Sequence, residues 1–167
     1  IEASSYQLEY SKIFKSKYSA ILNISPDHLE RHKTIRRYVK AKFKLLKNQF
    51  KGNFAFVKKN DLLINKELKL NELKSKIIKV DTKKANNLFK NIDNQFFDTI
   101  TNKENLSFVL EIIKKFNLKK KLLVETIQKF NGLKYRQQII FKKKYLTIIN
   151  DSKSTSFSSS IGLLETN

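Results

Sequence analysis

Cysteine, methionine and tryptophan are absent from the 167 residues, and proline occurs once and glycine three times. The lack of cysteine excludes a disulfide framework and any thiolate metal centre, and it fits a reducing compartment. No apolar run approaches the roughly 18 residues that a bilayer-spanning helix takes. The opening IEASSYQLEY has neither the basic n-region nor the apolar h-region of a signal peptide. The expectation is a soluble, cytoplasmic protein. With no methionine even at position 1, Ile1 is expected to be an internal position of a longer chain. Gly52, Gly132 and Gly162 do not make the Gly-Lys-Ser/Thr loop whose backbone N–H groups cradle nucleotide phosphates.

Acidic residues are also scarce: 35 Lys and Arg stand against 15 Asp and Glu, a formal net charge of +20. Such a charge attracts nucleic acid, anionic membrane or a phosphorylated small molecule, and a small basic nucleic-acid-associated binding protein is one reading of it. Base readout and base stacking favour arginine placed among aromatics. Here arginine is confined to Arg31, Arg36, Arg37 and Arg136, and there is no basic arm or aromatic-basic repeat. The lysines are spread along the chain among Asn and Ile, the bias of a low-GC genome.

What is present is enough apolar residue, 40% of the chain, for a domain with a real core. YSAILNI (18–24), FAFV (54–57) and KIIKV (76–80) read as short buried strands, and Ile1 to Ala3 as a strand end. Thr34 is placed to cap a helix from Ile35, and helices are predicted from Asn102 (Leu106, Val109, Leu110, Ile113) and over Leu122, Leu123, Ile127 and Phe130. The Asn-rich stretch from Thr82 to Asn94 reads as loop or weak helix. Beyond Gly132, QQIIF and YLTIIN predict a hairpin. The class is α/β, with a boundary near Gly132 and no internal repeat or heptad pattern.

One lysine is out of place. Helical spacing from Ile35 puts Tyr38, Val39, Lys42, Phe43 and Leu46 on one stripe, whereas Lys40, Lys44 and Lys47 project to the other side. An amine in an apolar stripe loses hydration of its charge, which favours the neutral form unless a carboxylate pairs with it. Alternatively, the long side chain carries its ammonium out to the rim. A neutral amine can take up carbon dioxide as a carbamate, an anionic oxygen ligand of the kind magnesium prefers.

Other candidates are open to two readings each. His28 and His32 are four apart and could share a helix face as paired metal ligands, or they could be solvated loop residues. In HLERH the glutamate is Glu30, not the residue directly after the first histidine, so the hydrolytic metalloprotease pattern is absent. NDSKST follows the strand-like YLTII, where ligands sit in α/β proteins: Asp151 could accept from hydroxyls and Lys153 could meet phosphate, or the segment is a polar turn. Asn102 and Asn105 read equally as the N-cap and third residue of a helix.

Taken together, EASSYQLE, AILNISPDHLERH, YVKAK, NKEN, GLKYR and INDSKST, in this order and spacing over residues 2 to 155, resemble the Mur ligases, closest to the branch that adds D-glutamate. The resemblance implies a P-loop-type central ATPase domain, of which residues 1–132 are the carboxyl-side part, followed by the start of a Rossmann-like, amino-acid-binding C-terminal domain at 133–167. It implies a monomer that uses ATP to phosphorylate the carboxylate of UDP-N-acetylmuramoyl-L-alanine, with D-glutamate then attacking the acyl phosphate. It makes Glu2 and His28 ligands of two magnesium ions, and Lys42 a carbamylated lysine beside them. Ser4 and Gln7 would meet the muramoyl substrate, Asn102 and Asn105 the adenine, and Arg136 and Asp151 the phosphate and ribose. Lys153 and Thr155 would lie near the incoming amino acid.

The chain departs from the family pattern in three places: Thr101 stands where His is usual, Thr99 where Gly is common, and Ser156 where Asn often follows. With the phosphate loop expected upstream of Glu2, these 167 residues are expected to be inactive alone, either as a segment of an intact ligase or as a decayed ligase product.

Overall fold

The computed structural model describes residues 1–26, 28–83, 94–116 and 118–154. The chain packs as two compact units, Ile1–Thr82 and Lys83–Asn167. Gly132, the expected boundary, lies inside the second unit, between its helices and its hairpin.

In the first unit α1 (Ser5–Tyr10) precedes β1 (Tyr18–Ile21), α2 (Leu29–His32), α3 (Ile35–Lys47), β2 (Phe54–Lys58), α4 (Leu62–Leu70) and β3 (Lys76–Val80). The strands form a parallel sheet in the order β1-β2-β3, with Tyr18 opposite Phe54 and Phe54 opposite Lys76. Parallel neighbours need a crossover, which α2 and α3 supply for the first pair and α4 for the second. Central β2 is buried on both faces, so Ala55, Phe56 and Val57 are all fully buried and show no alternation. Ile1 to Ala3 form no strand; the chain turns directly into α1.

Helix α3 forms where expected. Thr34 caps it, its Oγ1 accepting from Arg37 N at 3.3 Å. Its stripe of Tyr38, Val39, Phe43 and Leu46 packs on Ile21, Ile24, Ala55, Val57 and Ile64 in a single core. Burying each large apolar side chain contributes about 1.5–3 kcal/mol. Two polar side chains hold the strand ends. The Asp61 carboxylate accepts from Ile64 N (3.0 Å), capping α4, and from Ile24 N (2.9 Å) in the loop that leaves β1. Buried Gln49 donates to the carbonyls of Ser16 and Phe54, at 3.0 and 3.1 Å.

In the second unit a 3-10 turn (Gln95–Phe97) leads into α5 (Ile100–Ile113), then α6 (Lys120–Gln128) and the antiparallel hairpin of β4 (Gln138–Lys143) and β5 (Leu146–Asn150). Thr99, not Asn102, caps α5: its Oγ1 accepts from Asn102 N, so Asn102 is the third helical residue. Asn94 closes α6, its Nδ2 donating to the carbonyls of Ile127 (2.6 Å) and Phe130 (2.8 Å). Phe96, Phe97 and Phe130 pack together, with Phe96 edge-on to each of the other two at 5.0 Å. The expected hairpin is present with a bulge between Ile139 and Phe141, and Lys142 and Lys143 belong to the strand, not the turn.

Candidate functional site

In the first unit, the segment of Glu2 and the loop of His28 are joined by an aromatic and hydrogen-bonded layer. Ser4 and Gln7 form a reciprocal capping box at α1: Ser4 Oγ accepts from Gln7 N at 3.2 Å, and Gln7 Oε1 from Ser4 N at 2.8 Å. The next residue, buried Ser5, meets His32 Nε2 at 2.9 Å. Tyr6 stacks on His32 with ring centroids 5.4 Å apart, and on its other contact tilts against His28 at 5.0 Å. Arg31 lies over the Tyr6 and Tyr10 rings and donates to the Tyr10 hydroxyl at 2.8 Å.

The two histidines therefore part company. His28 is a half-exposed residue at the N-cap of the single-turn α2, with φ of 54° and Nδ1 3.8 Å from Glu30 Oε1. His32 is buried, its Nδ1 3.9 Å from Glu9 Oε2, and it serves packing between α1, α2 and Tyr38. The two side chains are thus not presented together on one exposed helix face.

Lys42 is half-buried in the α3 stripe, its Nζ 4.8 Å from the centroid of the Tyr38 ring, a cation–π contact. Among the described residues no carboxylate lies within ion-pair distance of it. Nor do any three His, Asp or Glu side chains gather there into a metal cage. Magnesium commonly takes one or two carboxylates, with substrate phosphates and water completing the shell. Exposed Glu2 and half-exposed His28 fit an ion of that open kind and not a closed protein site.

The second unit contains a cavity of about 480 Å³, within the range of small-molecule sites. Its lining includes the apolar Phe96, Phe97, Leu106, Val109, Ile127 and Phe130 and the polar Asn102, Asn105, Arg136, Gln137, Asp151 and Ser154. Four residues singled out in the sequence, from three separate segments, thus line one cavity. Leu106, Val109 and Ile113 of the predicted α5 stripe line it, whereas Leu110 does not, and Val109 is exposed within it.

The polar part of the lining is braced through Gln137, a residue that no sequence motif singles out. Gln137 Oε1 accepts from Thr99 Oγ1 at 2.9 Å and from Asn102 Nδ2 at 3.1 Å. The Asn102 amide also donates to the carbonyl of Phe96 at 2.7 Å. Gln137 N donates to Asp151 Oδ1 at 3.1 Å, and Ser154 Oγ to Asp151 Oδ2 at 2.6 Å. Tyr135 and Gln137 adopt left-handed φ values of 66° and 47°, which turn the backbone on either side of Arg136. The backbone N of Lys153 donates to Tyr135 O, and Lys153 is outside the cavity lining; Thr155 lies outside the described residues.

The Mur ligase middle domain family matches residues 1–125. UDP-N-acetylmuramoylalanine–D-glutamate ligase of Pseudothermotoga lettingae is 32% identical over 174 residues, covering 99% of this chain and 39% of that protein. The enzymes of the same name from Fusobacterium nucleatum and Alkaliphilus oremlandii are each 31% identical, covering 100% and 99% of this chain and 41% and 40% of their own lengths. The chain thus spans about two-fifths of these relatives. With a matching domain over three-quarters of its length and a mixed α/β fold on a parallel sheet, the chain belongs to the Mur ligase family.

Proposed function

We propose that the complete protein carrying this chain joins D-glutamate to UDP-N-acetylmuramoyl-L-alanine in peptidoglycan precursor synthesis, at the expense of ATP. The observation that carries this reading is the gathering of Asn102, Asn105, Arg136 and Asp151 around one cavity. The γ-phosphoryl group passes to the muramoyl-alanine carboxylate, giving an acyl phosphate and ADP. The amine of D-glutamate then attacks the acyl carbon, the C–O bond to phosphate breaks, and an amide and inorganic phosphate are released. Phosphoryl transfer of this kind depends mainly on positioning and on charge neutralisation.

Each side chain has a part in this. Asn102 and Asn105 hold the base, and Arg136 and Asp151 the phosphate and ribose. Ser4, Gln7 and Thr155 meet substrate, with Lys153 beside the incoming amino acid. Glu2, His28 and a carbamylated Lys42 would hold two magnesium ions, which when bound neutralise charge on phosphate oxygens. In domain terms, residues 1–132 are the carboxyl-side part of a P-loop-type ATPase domain, and 133–167 begin a Rossmann-like domain. The complete enzyme is a cytoplasmic monomer.

The test is release of ADP by the complete protein, measured with each substrate left out in turn. Release that needs both the muramoyl nucleotide and D-glutamate supports the reading; release indifferent to either overturns it. The 167 residues alone are expected to form no amide, and product above background from them would refute that expectation.

A further inference from the structure

The hydrogen bonds of the cavity wall fix which way two side-chain amides point, and that orientation has the pattern of a base reader. A backbone carbonyl can only accept, so the bond to Phe96 O requires the nitrogen of the Asn102 amide on that side. The same nitrogen donates its second hydrogen to Gln137, which requires the Gln137 oxygen there. Thr99 Oγ1 donates to that oxygen as well. What remains is the oxygen of Asn102 and the nitrogen of Gln137, one acceptor and one donor, on two residues that both line the cavity. Among the described residues neither atom has a hydrogen-bond partner.

We propose that Gln137 is a specificity-determining residue: with Asn102 it offers an acceptor-donor pair that selects a 6-aminopurine over a 6-oxopurine. This rests on the nucleotide-site reading above. A 6-aminopurine presents an N–H donor at C6 beside a ring-nitrogen acceptor, the complement of this pair. A 6-oxopurine presents a carbonyl at C6, which would face the Asn102 oxygen with no hydrogen between them. Gln137 is held for the task, since its backbone N is tied to Asp151 and its side-chain oxygen takes two donors. Among the described residues, the side-chain polar atom of Gln137 left without a bond is the nitrogen that would meet the base.

The test is competitive nucleotide binding to the complete protein, with ATP, ITP, 1-deaza-ATP and 7-deaza-ATP displacing a fluorescent ATP analogue. In the unaltered protein ITP should bind about 5- to 150-fold more weakly than ATP, and one of the two deaza analogues should be weakened by a similar factor. Gln137→Glu keeps an oxygen for Thr99 and Asn102 but puts an acceptor where the donor was. It should weaken ATP and shrink the ATP-over-ITP ratio by about tenfold or more. A residue that merely braces the wall would leave that ratio unmoved. Unaltered protein that binds ATP but does not discriminate against ITP, or that tolerates both deaza analogues, overturns this inference alone. Protein that binds neither ATP nor ITP overturns the nucleotide site and the inference with it.

Discussion

Gly132→Ala isolates the close approach between the end of α6 and the aromatic cluster. Gly132 has φ of 74°, and a Cβ there would stand 2.3 and 2.5 Å from Cε2 and Cδ2 of the Phe96 ring. The left-handed backbone costs an L-residue about 1–2 kcal/mol. Forcing the ring aside adds about 1–3 kcal/mol, the usual cost of overpacking. Phe96 has little room to yield, being wedged edge-on against Phe97 and Phe130. The expected loss is therefore about 2–5 kcal/mol, read by urea titration of the complete protein. Gly52→Ala is the control: φ is 89° but a Cβ meets nothing within 4 Å, so only the backbone cost of about 1–2 kcal/mol is expected. A double-mutant cycle with Phe96→Ala separates the two contributions. If the ring is the obstacle, Gly132→Ala costs about 1–3 kcal/mol less once the ring is gone. Additivity of the two substitutions within about 0.5 kcal/mol would refute the steric account.

His32→Phe keeps the stack on Tyr6 but strands the buried Ser5 hydroxyl, and should cost about 1–3 kcal/mol; adding Ser5→Ala should restore part of it, and a double variant no more stable than His32→Phe refutes the pairing. Asp61→Asn leaves one of two backbone N–H groups facing an amide nitrogen, with an expected loss of about 1–3 kcal/mol in thermal or urea unfolding; an unchanged midpoint would show that the two bonds do not matter. Lys42→Ala in the complete protein should lose most ligase activity, and an unchanged rate would remove the carbamate from the proposal.

Strands β1 to β3 and helix α3 of the first unit were legible because burial and period coincide there: FAFV and KIIKV are short apolar runs, and α3 carries a 3.6-residue stripe with a threonine cap, whereas the shorter α1, α2 and α4 were not read from the sequence. The misplaced Lys42 was visible for the same reason. The capping residue of the helix starting at Ile100 is ambiguous in the sequence, because Asn102 is as good a capping type as Thr99, and only the bond from Asn102 N to Thr99 Oγ1 puts Thr99 at the cap and Asn102 in the first turn. His28 and His32 looked alike in sequence since their spacing suits a helix, but one turn of α2 leaves His28 at its rim and buries His32. Gln137 carried no sequence signal. Its role depends on a left-handed backbone and on partners 14 to 38 positions away, and the one clue was Thr99 standing where glycine is common in the family.

The parallel sheet also governs when the chain can fold as it leaves the ribosome. Tyr18 has no neighbour on β2 until Phe54 has been synthesised, and Phe54 none on β3 until Lys76 follows. Each pairing must close a loop that contains helix, so loop entropy delays it relative to local structure. The hairpin, in which Lys143 sits opposite Leu146, closes almost as soon as it is made. During elongation, β1 therefore emerges before β2 can pair with it, and translation speed through residues 22–53 sets how long that edge waits for β2.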